Sequence, residues 1–302
     1  MATDSVTDPQ PRILLLGAAG QLGRELSKAL PALGQVIPVT REDCDLADRD
    51  AVLRLLASRQ PTVIVNAAAY TAVDRAESEP ELAAALNSGL PAVLATWAAA
   101  NQALLVDYGT DYIFDGSKHQ PWLETDPRAP LNTYGRTKCA GLEAIEGSGC
   151  DYLVFIVTWL YAAAGANFPR TILRLGAEKP ELSVVCDQMG APTPADWIAE
   201  TTTECIRQTL ANRAKCGLYN LVPSGSTSWC DFAKEIIRYA GEQGTPLRLQ
   251  VEAIHPVPTA AYPTAARRPA NSMLDAGKLK ATFDIFQPHW RSLFKRAGSL
   301  GL

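Results

Sequence analysis

Residues 13–23 read ILLLGAAGQLG, and this stretch decides the fold. Ile13 to Leu16 is a short, wholly apolar run, as expected of a strand buried on both faces. Gly17 ends the run, and Leu22, Leu26 and Leu30 then recur at helical spacing. Between strand and helix lies the pattern G-x-x-G-x-x-G, formed by Gly17, Gly20 and Gly23. Gly17 permits a tight turn, Gly20 lets backbone approach a pyrophosphate, and Gly23 lets the helix pack closely on the sheet. The helix N-terminus offers free N–H groups and a positive dipole end to phosphates. A dinucleotide cofactor is therefore expected here.

Outward from this loop the alternation repeats. Gln35 to Thr40 reads as a second strand, Asp48 opens a helical segment, and Thr62 to Val65 is a third strand ending at Asn66. An Ala-rich helical region runs from about Glu79 to Asn101, and Leu104 to Val106 begins the next strand. Asn132 to Ile145 reads as a helix and Tyr152 to Trp159 as a strand. Strands alternating with helices predict an α/β chain, a Rossmann-type doubly wound parallel sheet covered on both faces. After about residue 160 the rhythm loosens, and prolines gather at 192, 194, 256, 258, 263 and 269. The reading is a dinucleotide-binding domain of residues 11–157 and 192–222. A smaller C-terminal substrate-capping domain takes residues 158–191 and 223–302, and residues 1–10 form a flexible tail.

Composition removes other classes. With 47% hydrophobic and 20% charged residues, the chain is neither disordered nor collagen-like. A net charge of -4 without a basic stripe gives no nucleic-acid footprint. The most apolar stretch, Leu90 to Val106, is broken by Asn101 and Gln102, so no run reaches the ~20 residues of a membrane span. The 7 cysteines include no Cys-x-x-Cys, and the 3 histidines (His119, His255, His289) lie far apart, so no metal site is read. The N-terminus is polar and lacks the apolar segment of a signal peptide, and a cytoplasmic setting is expected.

The second strand ends at Val39-Thr40-Arg41. An NAD-specific site usually places an acid here to hold the ribose hydroxyls. Thr40 is not acidic, and the Arg41 guanidinium suits a 2′-phosphate, which tilts the cofactor toward NADPH, with NADH as the alternative. Farther on, Tyr134 and Lys138 stand at i and i+4, on one helix face. Reducing a ketone needs a hydride at carbon and a proton at oxygen. A tyrosine with its ordinary pKa near 10 is a poor acid–base catalyst at neutrality, and a neighbouring ammonium is expected to lower it. Thr110, at a strand end, is the candidate hydroxyl for polarising the carbonyl.

These residues together resemble the extended short-chain dehydrogenase/reductase superfamily and, within it, the dTDP-4-dehydrorhamnose reductase family. The matching stretches are GAAGQLG (17–23), VNAAAYTAVDRAE (65–77), TDYIFDG (110–116), PLNTYGRTK (130–138), DQMGAPTPAD (187–196) and RRPANSMLD (267–275). The resemblance implies NAD(P)H-dependent reduction of the C4 ketone of dTDP-4-dehydro-β-L-rhamnose to dTDP-β-L-rhamnose. It carries the catalytic Thr–Tyr–Lys triad onto Thr110, Tyr134 and Lys138. It places Gly20, Gln21 and Leu22 on the dinucleotide loop, Asp45 and Leu46 at the adenine, and Ala68 and Ala69 on the cofactor-lining strand end. Substrate contacts fall on Val73, Asp74, Asp111, Tyr112 and Trp159, with Arg267 and Arg268 in the capping segment where a cation could hold diphosphate.

Related dehydratases carry Glu after Thr-Asp; Tyr112 stands here, which favours reduction over elimination. The chain also departs from the family pattern. Gly109 replaces Ser, Ile156-Val157-Thr158 replaces Arg-Thr-Ser, Leu142 replaces Glu, and Cys186 replaces Asn. Glu25 and Asp196 match positions that hold Mg²⁺ in some members, and the metal and a homodimer are left open. Two other readings stand beside the first: a reductase of another dTDP-4-keto-deoxysugar, and a non-catalytic dinucleotide-binding subunit.

Overall fold

The computed structural model describes residues 10–296. The tail expected over residues 1–10 thus falls, except for Gln10, outside the described residues, as do residues 297–302 of the expected capping domain.

β1 (Arg12–Leu16) leads through the glycine loop to α1 (Gln21–Ala29). β2 (Gln35–Val39) is followed by α2 (Arg49–Arg59). After β3 (Val63–Asn66) come α3 (Pro80–Ala84), a π turn over Ala85–Gly89 and α4 (Leu90–Asn101). β4 (Leu104–Thr110), α5 (Thr133–Glu146) and β5 (Tyr152–Val157) complete the regular alternation. Next are β6 (Leu160–Tyr161), α6 (Phe168–Glu178), β7 (Leu182–Val185), β8 (Met189–Gly190) and β9 (Thr193–Pro194). The chain then forms α7 (Ala195–Ala211), β10 (Gly217–Asn220), β11 (Thr227–Ser228), α8 (Trp229–Glu242) and β12 (Ile254–Val257). It closes with α9 (Gly277–Phe283) and α10 (Trp290–Phe294).

Six parallel strands form the central sheet in the order β10-β5-β4-β3-β1-β2. The order reverses between β1 and β3, so the sheet is doubly wound and its ligand crevice is expected at that switch point. β3 and β4 are buried along their whole length, as strands between two helical layers should be. Local chemistry sets several boundaries. Asp48 caps α2 by accepting from the N–H groups of Asp50 and Ala51. The strand expected to reach Trp159 stops at Val157, because Trp159 takes a left-handed φ of 47° that no strand accommodates.

The Ala-rich helix forms as expected, but it is apolar over a longer stretch than the sequence reading allowed. The π turn joins α3 and α4 into a continuous helix, Pro80–Asn101, long and apolar enough by composition to cross a membrane. Its Leu90, Leu94, Ala95 and Ala98 pack into the sheet core. Pro91 follows directly on the π turn, at the start of α4.

Beyond the sheet core lies a second apolar cluster built from Tyr161, Ile172, Val184, Phe232, Trp290 and Phe294, among others. It is closed by α6, α8, α10 and the parallel pair β7–β12. The chain returns from it to the sheet, where Leu274, Leu279, Phe283 and Leu293 join the larger core.

Candidate active site

The glycine loop lies at the C-terminal end of β1, at the switch point. Gly17 holds a left-handed φ of 75°, and a Cβ there would sit 2.7 Å from the Ala68 backbone nitrogen. A Cβ on Gly23 would come within 2.1 Å of the Gly17 carbonyl oxygen. The loop therefore packs directly on the β3 end, beside Ala68 and Ala69, while Ala18 N–H donates to the Val39 carbonyl at the end of β2. Gly20 starts α1 without a side-chain cap, and the first turn holds no acid. This bare helix end suits a phosphate, so these residues fit a dinucleotide. Leu22 buries its side chain in the core and has only its backbone to offer a phosphate. Gln21 reaches the other way. Its amide donates to the Ala166 carbonyl at 3.1 Å and accepts from Asn167 Nδ2 at 2.9 Å, tying the loop to the start of α6.

At the end of β2, Arg41 is exposed and forms no ion pair among the described residues. The sequence reading found no acid here, yet Asp43 folds back to accept from Thr40 N–H and Oγ1, both at 2.8 Å. These bonds hold its carboxyl below the usual range. Asp45 is exposed and accepts from Ala47 N–H, and Leu46 packs partly against the core.

Thr110 ends β4, and Asp111 opens the following turn; both are buried. Thr110 Oγ1 donates to Asp111 Oδ1 at 3.3 Å, a long bond. The first turn of α5 reaches this strand end because residue 135 is glycine: a Cβ there would lie 2.3 Å from the Tyr112 carbonyl oxygen. Asn132 caps α5 through Gly135 N–H at 2.8 Å and also donates to the Arg267 carbonyl at 2.7 Å. Glu77 accepts from Thr133 N–H at 2.7 Å. So held, Tyr134 packs edge-on to Tyr112, with ring centroids 5.5 Å apart.

Burial pushes the Tyr134 phenol up to about 12, against a lowering by the Thr110 hydroxyl. Burial likewise drives the Asp111 carboxyl up to about 6, with the Ser272, Thr158 and Thr110 hydroxyls opposing it. The expected lowering of Tyr134 by Lys138 is thus absent. Lys138, also buried, faces Asp107 instead, Nζ to Oδ1 3.7 Å, and this carboxylate offsets its charge.

The substrate candidates line the same end of the sheet. Asp74 pairs with Arg268 through two hydrogen bonds, at 2.7 and 3.2 Å, and accepts from Ala266 N–H at 3.0 Å. These partners, Arg268 first, hold the Asp74 carboxyl low. Arg268 is therefore compensated, whereas Arg267 is exposed and forms no ion pair among the described residues. Trp159 stacks on Trp229 with centroids 3.6 Å apart, and a Cβ on Gly190 would lie 2.5 Å from its ring. Val73 is half-buried beside Asp74.

A family model described as "RmlD substrate binding domain" matches residues 11–298. The chain is 44% identical to the dTDP-4-dehydrorhamnose reductase of Burkholderia thailandensis over 93% of its own length and 95% of that protein. It is 44% identical to the Escherichia coli K12 enzyme of that name, over 94% and 96% of the two chains. This chain belongs to the dTDP-4-dehydrorhamnose reductase family. A solved dTDP-4-dehydrorhamnose reductase from Bacillus anthracis, in complex with NADP, superposes with a TM-score of 0.86 at 32% identity, covering 95% of this chain and 98% of that one.

Two departures from the family pattern explain each other. Gly109 and Ile156 are direct partners across β4 and β5, and a Cβ on Gly109 would lie 2.3 Å from Ile156 Cδ1. Ile156 occupies the space a serine side chain would need. Leu142 is buried in the core, where an apolar residue is at home, and Cys186 follows β7 half-buried. All 7 cysteines are unpaired. Of the two matched metal positions, Glu25 pairs with Lys28 at 2.8 Å and Asp196 accepts from Trp197 N–H. No group of three potential metal ligands exists among the described residues. Sequence reading gave no role in the site to Asp107, Asn66, Asn132 and Glu77. Of these, Asp107 left a readable signal: a lone charge inside an apolar strand.

Proposed function

We propose that this chain reduces the C4 ketone of dTDP-4-dehydro-β-L-rhamnose to dTDP-β-L-rhamnose, with NADPH preferred over NADH. The observation that carries the reading is the Thr110 hydroxyl beside Tyr134, with Lys138 one turn further along α5 and against Asp107 of β4, on the crevice side of a glycine loop that fits a dinucleotide. Gly17, Gly20, Gln21, Leu22 and Gly23 would cradle the pyrophosphate, Asp45 and Leu46 the adenine, and Ala68 and Ala69 the nicotinamide side. Arg41 would meet the 2′-phosphate. The chemistry a reduced nicotinamide supplies, when bound, is a hydride for the carbonyl carbon.

The chain's own residues handle the proton. A phenol raised to about 12 is protonated at neutral pH, which is the form a reduction needs. Tyr134 gives that proton to O4, and Thr110 turns its weakly engaged hydroxyl to donate to the same oxygen. The phenolate left behind regains its proton from solvent, with Lys138 one helical turn along α5. Tyr112 supplies no base for elimination. Val73, Asp74, Asp111, Tyr112 and Trp159 border the sugar nucleotide. Arg267 stands ready for diphosphate, and Arg268 can join it fully only as its bond to Asp74 loosens.

The two apolar cores support a division into a cofactor part (11–157 and 192–222) and a capping part (158–191 and 223–302), with Leu274, Leu279, Phe283 and Leu293 returning to pack on the former. NADPH oxidation with the ketosugar nucleotide tests the activity. Wild type should turn over, and Tyr134→Phe should lose at least about 100-fold in kcat. No turnover by wild type, or a full rate in the variant, overturns the reading.

A further inference from the structure

We propose that Asp107 is a positioning residue for this reaction: it holds the Lys138 ammonium from behind and links it, through Asn66, to the cofactor-side loop at Ala68. The inference rests on the reductase reading above.

The link is a continuous chain of contacts across three elements. Lys138 Nζ on α5 lies 3.7 Å from Asp107 Oδ1 on β4. The other oxygen, Oδ2, accepts from Asn66 Nδ2 on β3 at 2.6 Å. Asn66 Oδ1 in turn accepts from Ala68 N–H at 3.2 Å, in the loop that packs on Gly17. Strand alternation turns Asp107 toward α5, while its neighbour Tyr108 turns away to bond Thr202 on α7.

Two opposite charges, each only 5% exposed, are costly to bury, and an apolar pair of similar volume would serve stability as well or better. Stability therefore does not account for the pair. Its geometry does suggest a use. At 3.7 Å the contact is longer than a hydrogen-bonded ion pair, so the ammonium keeps donors free for the crevice. Asp107 is the only carboxylate paired with Lys138 among the described residues. Asp107 faces the lysine from β4, with Asn66 of β3 behind that carboxylate, and Tyr134 shares its own helix. Asp111 and Tyr112 face Tyr134 from the β4 turn, and Lys138 is not among the groups that lower that phenol. Burial raises the Asp107 carboxyl, with Lys138 the first group opposing that rise, and the contact limits how far the ammonium's field reaches the tyrosine.

Asp107→Asn tests this, since it keeps the shape and removes the charge. A buried ammonium without its counter-charge gives up its proton more easily, and while it remains charged it lowers Tyr134 more strongly. Both effects move the alkaline limb of the kcat–pH profile the same way, down by about one pH unit. NADPH affinity, followed by fluorescence without turnover, should fall more steeply with rising pH than in wild type. Asp107→Glu keeps the charge but displaces it, so its limb should stay at the wild-type pH while kcat drops several-fold. It also serves as the test if the Asn variant does not fold. An unmoved limb and an unmoved NADPH profile in Asp107→Asn overturn the proposal, as does a Glu variant whose limb moves like that of Asn. Wild type inactive on the ketosugar would sink the reductase reading instead, and the NADPH titration would still decide Asp107.

Discussion

Asp111 carries its carboxyl into a nearly closed space beside Thr110, and its Oδ2 has no hydrogen-bond partner. A group raised from 3.8 to about 6 binds its proton more tightly folded than unfolded. The favourable protonated state is fully present below about pH 4, and stability is lost as pH climbs through 6. The loss amounts to at most about 3 kcal/mol, since each pKa unit is worth about 1.4 kcal/mol. Asp111→Asn removes the titration, so its stability relative to wild type should rise between pH 4 and 6 and level off above. Denaturant melts across that range check it; a flat difference would mean the carboxyl titrates normally. At this scale the sequence was partly legible. Tyr134 and Lys138 declare themselves by spacing on one helix. That Lys138 turns to Asp107, or Arg268 to Asp74, does not, because those partners lie on other elements and no local period links them.

The elements that carry the site were nearly all readable, because each buries a periodic apolar face. β4 was seen at its start and, at Thr110, its end, while Asp107 and Gly109 interrupt the apolar run that marks a strand. The pairing of β4 with β5 accounts for two residues that look anomalous in isolation. With Gly109 opposite the fully buried Ile156, a side chain at 109 must displace a packed methyl. Gly109→Ser should cost about 1–2 kcal/mol. Adding Ile156→Val, which removes the clashing Cδ1, should recover most of it. If thermal melts show the single variant as stable as wild type, the steric coupling is wrong. The placement of α5 likewise depends on partners outside it. Asn132 and Glu77 cap it, and Asn87, on the π turn, donates to Thr137 Oγ1 at 3.1 Å. None of these has a spacing signal, so the helix was legible but its anchoring was not.

At the scale of the molecule, a net charge of -4 coexists with a proposed pair of anionic ligands. Their phosphates must be met locally, and the bare α1 end, Arg41 and Arg267 are the groups left uncompensated to do so. Because a ligand that binds only the folded chain stabilises it, NADPH at about a hundredfold excess over its Kd should add about 2.7 kcal/mol, read as a rise in Tm. Arg41→Ala should shrink that gain while leaving the gain with NADH unchanged. Equal loss with both cofactors would remove Arg41 from the 2′-phosphate. The doubly wound sheet, the cofactor loop and the Tyr–Lys helix face were determined by sequence alone, because glycine placement and apolar periodicity act within a few residues. Tertiary structure decided the rest: the second core, the Asp74–Arg268 pair, the Gly109–Ile156 fit and the Asp107 link behind Lys138. Each depends on side chains brought together from distant parts of the chain, and packing and desolvation there, not local spacing, choose the partner.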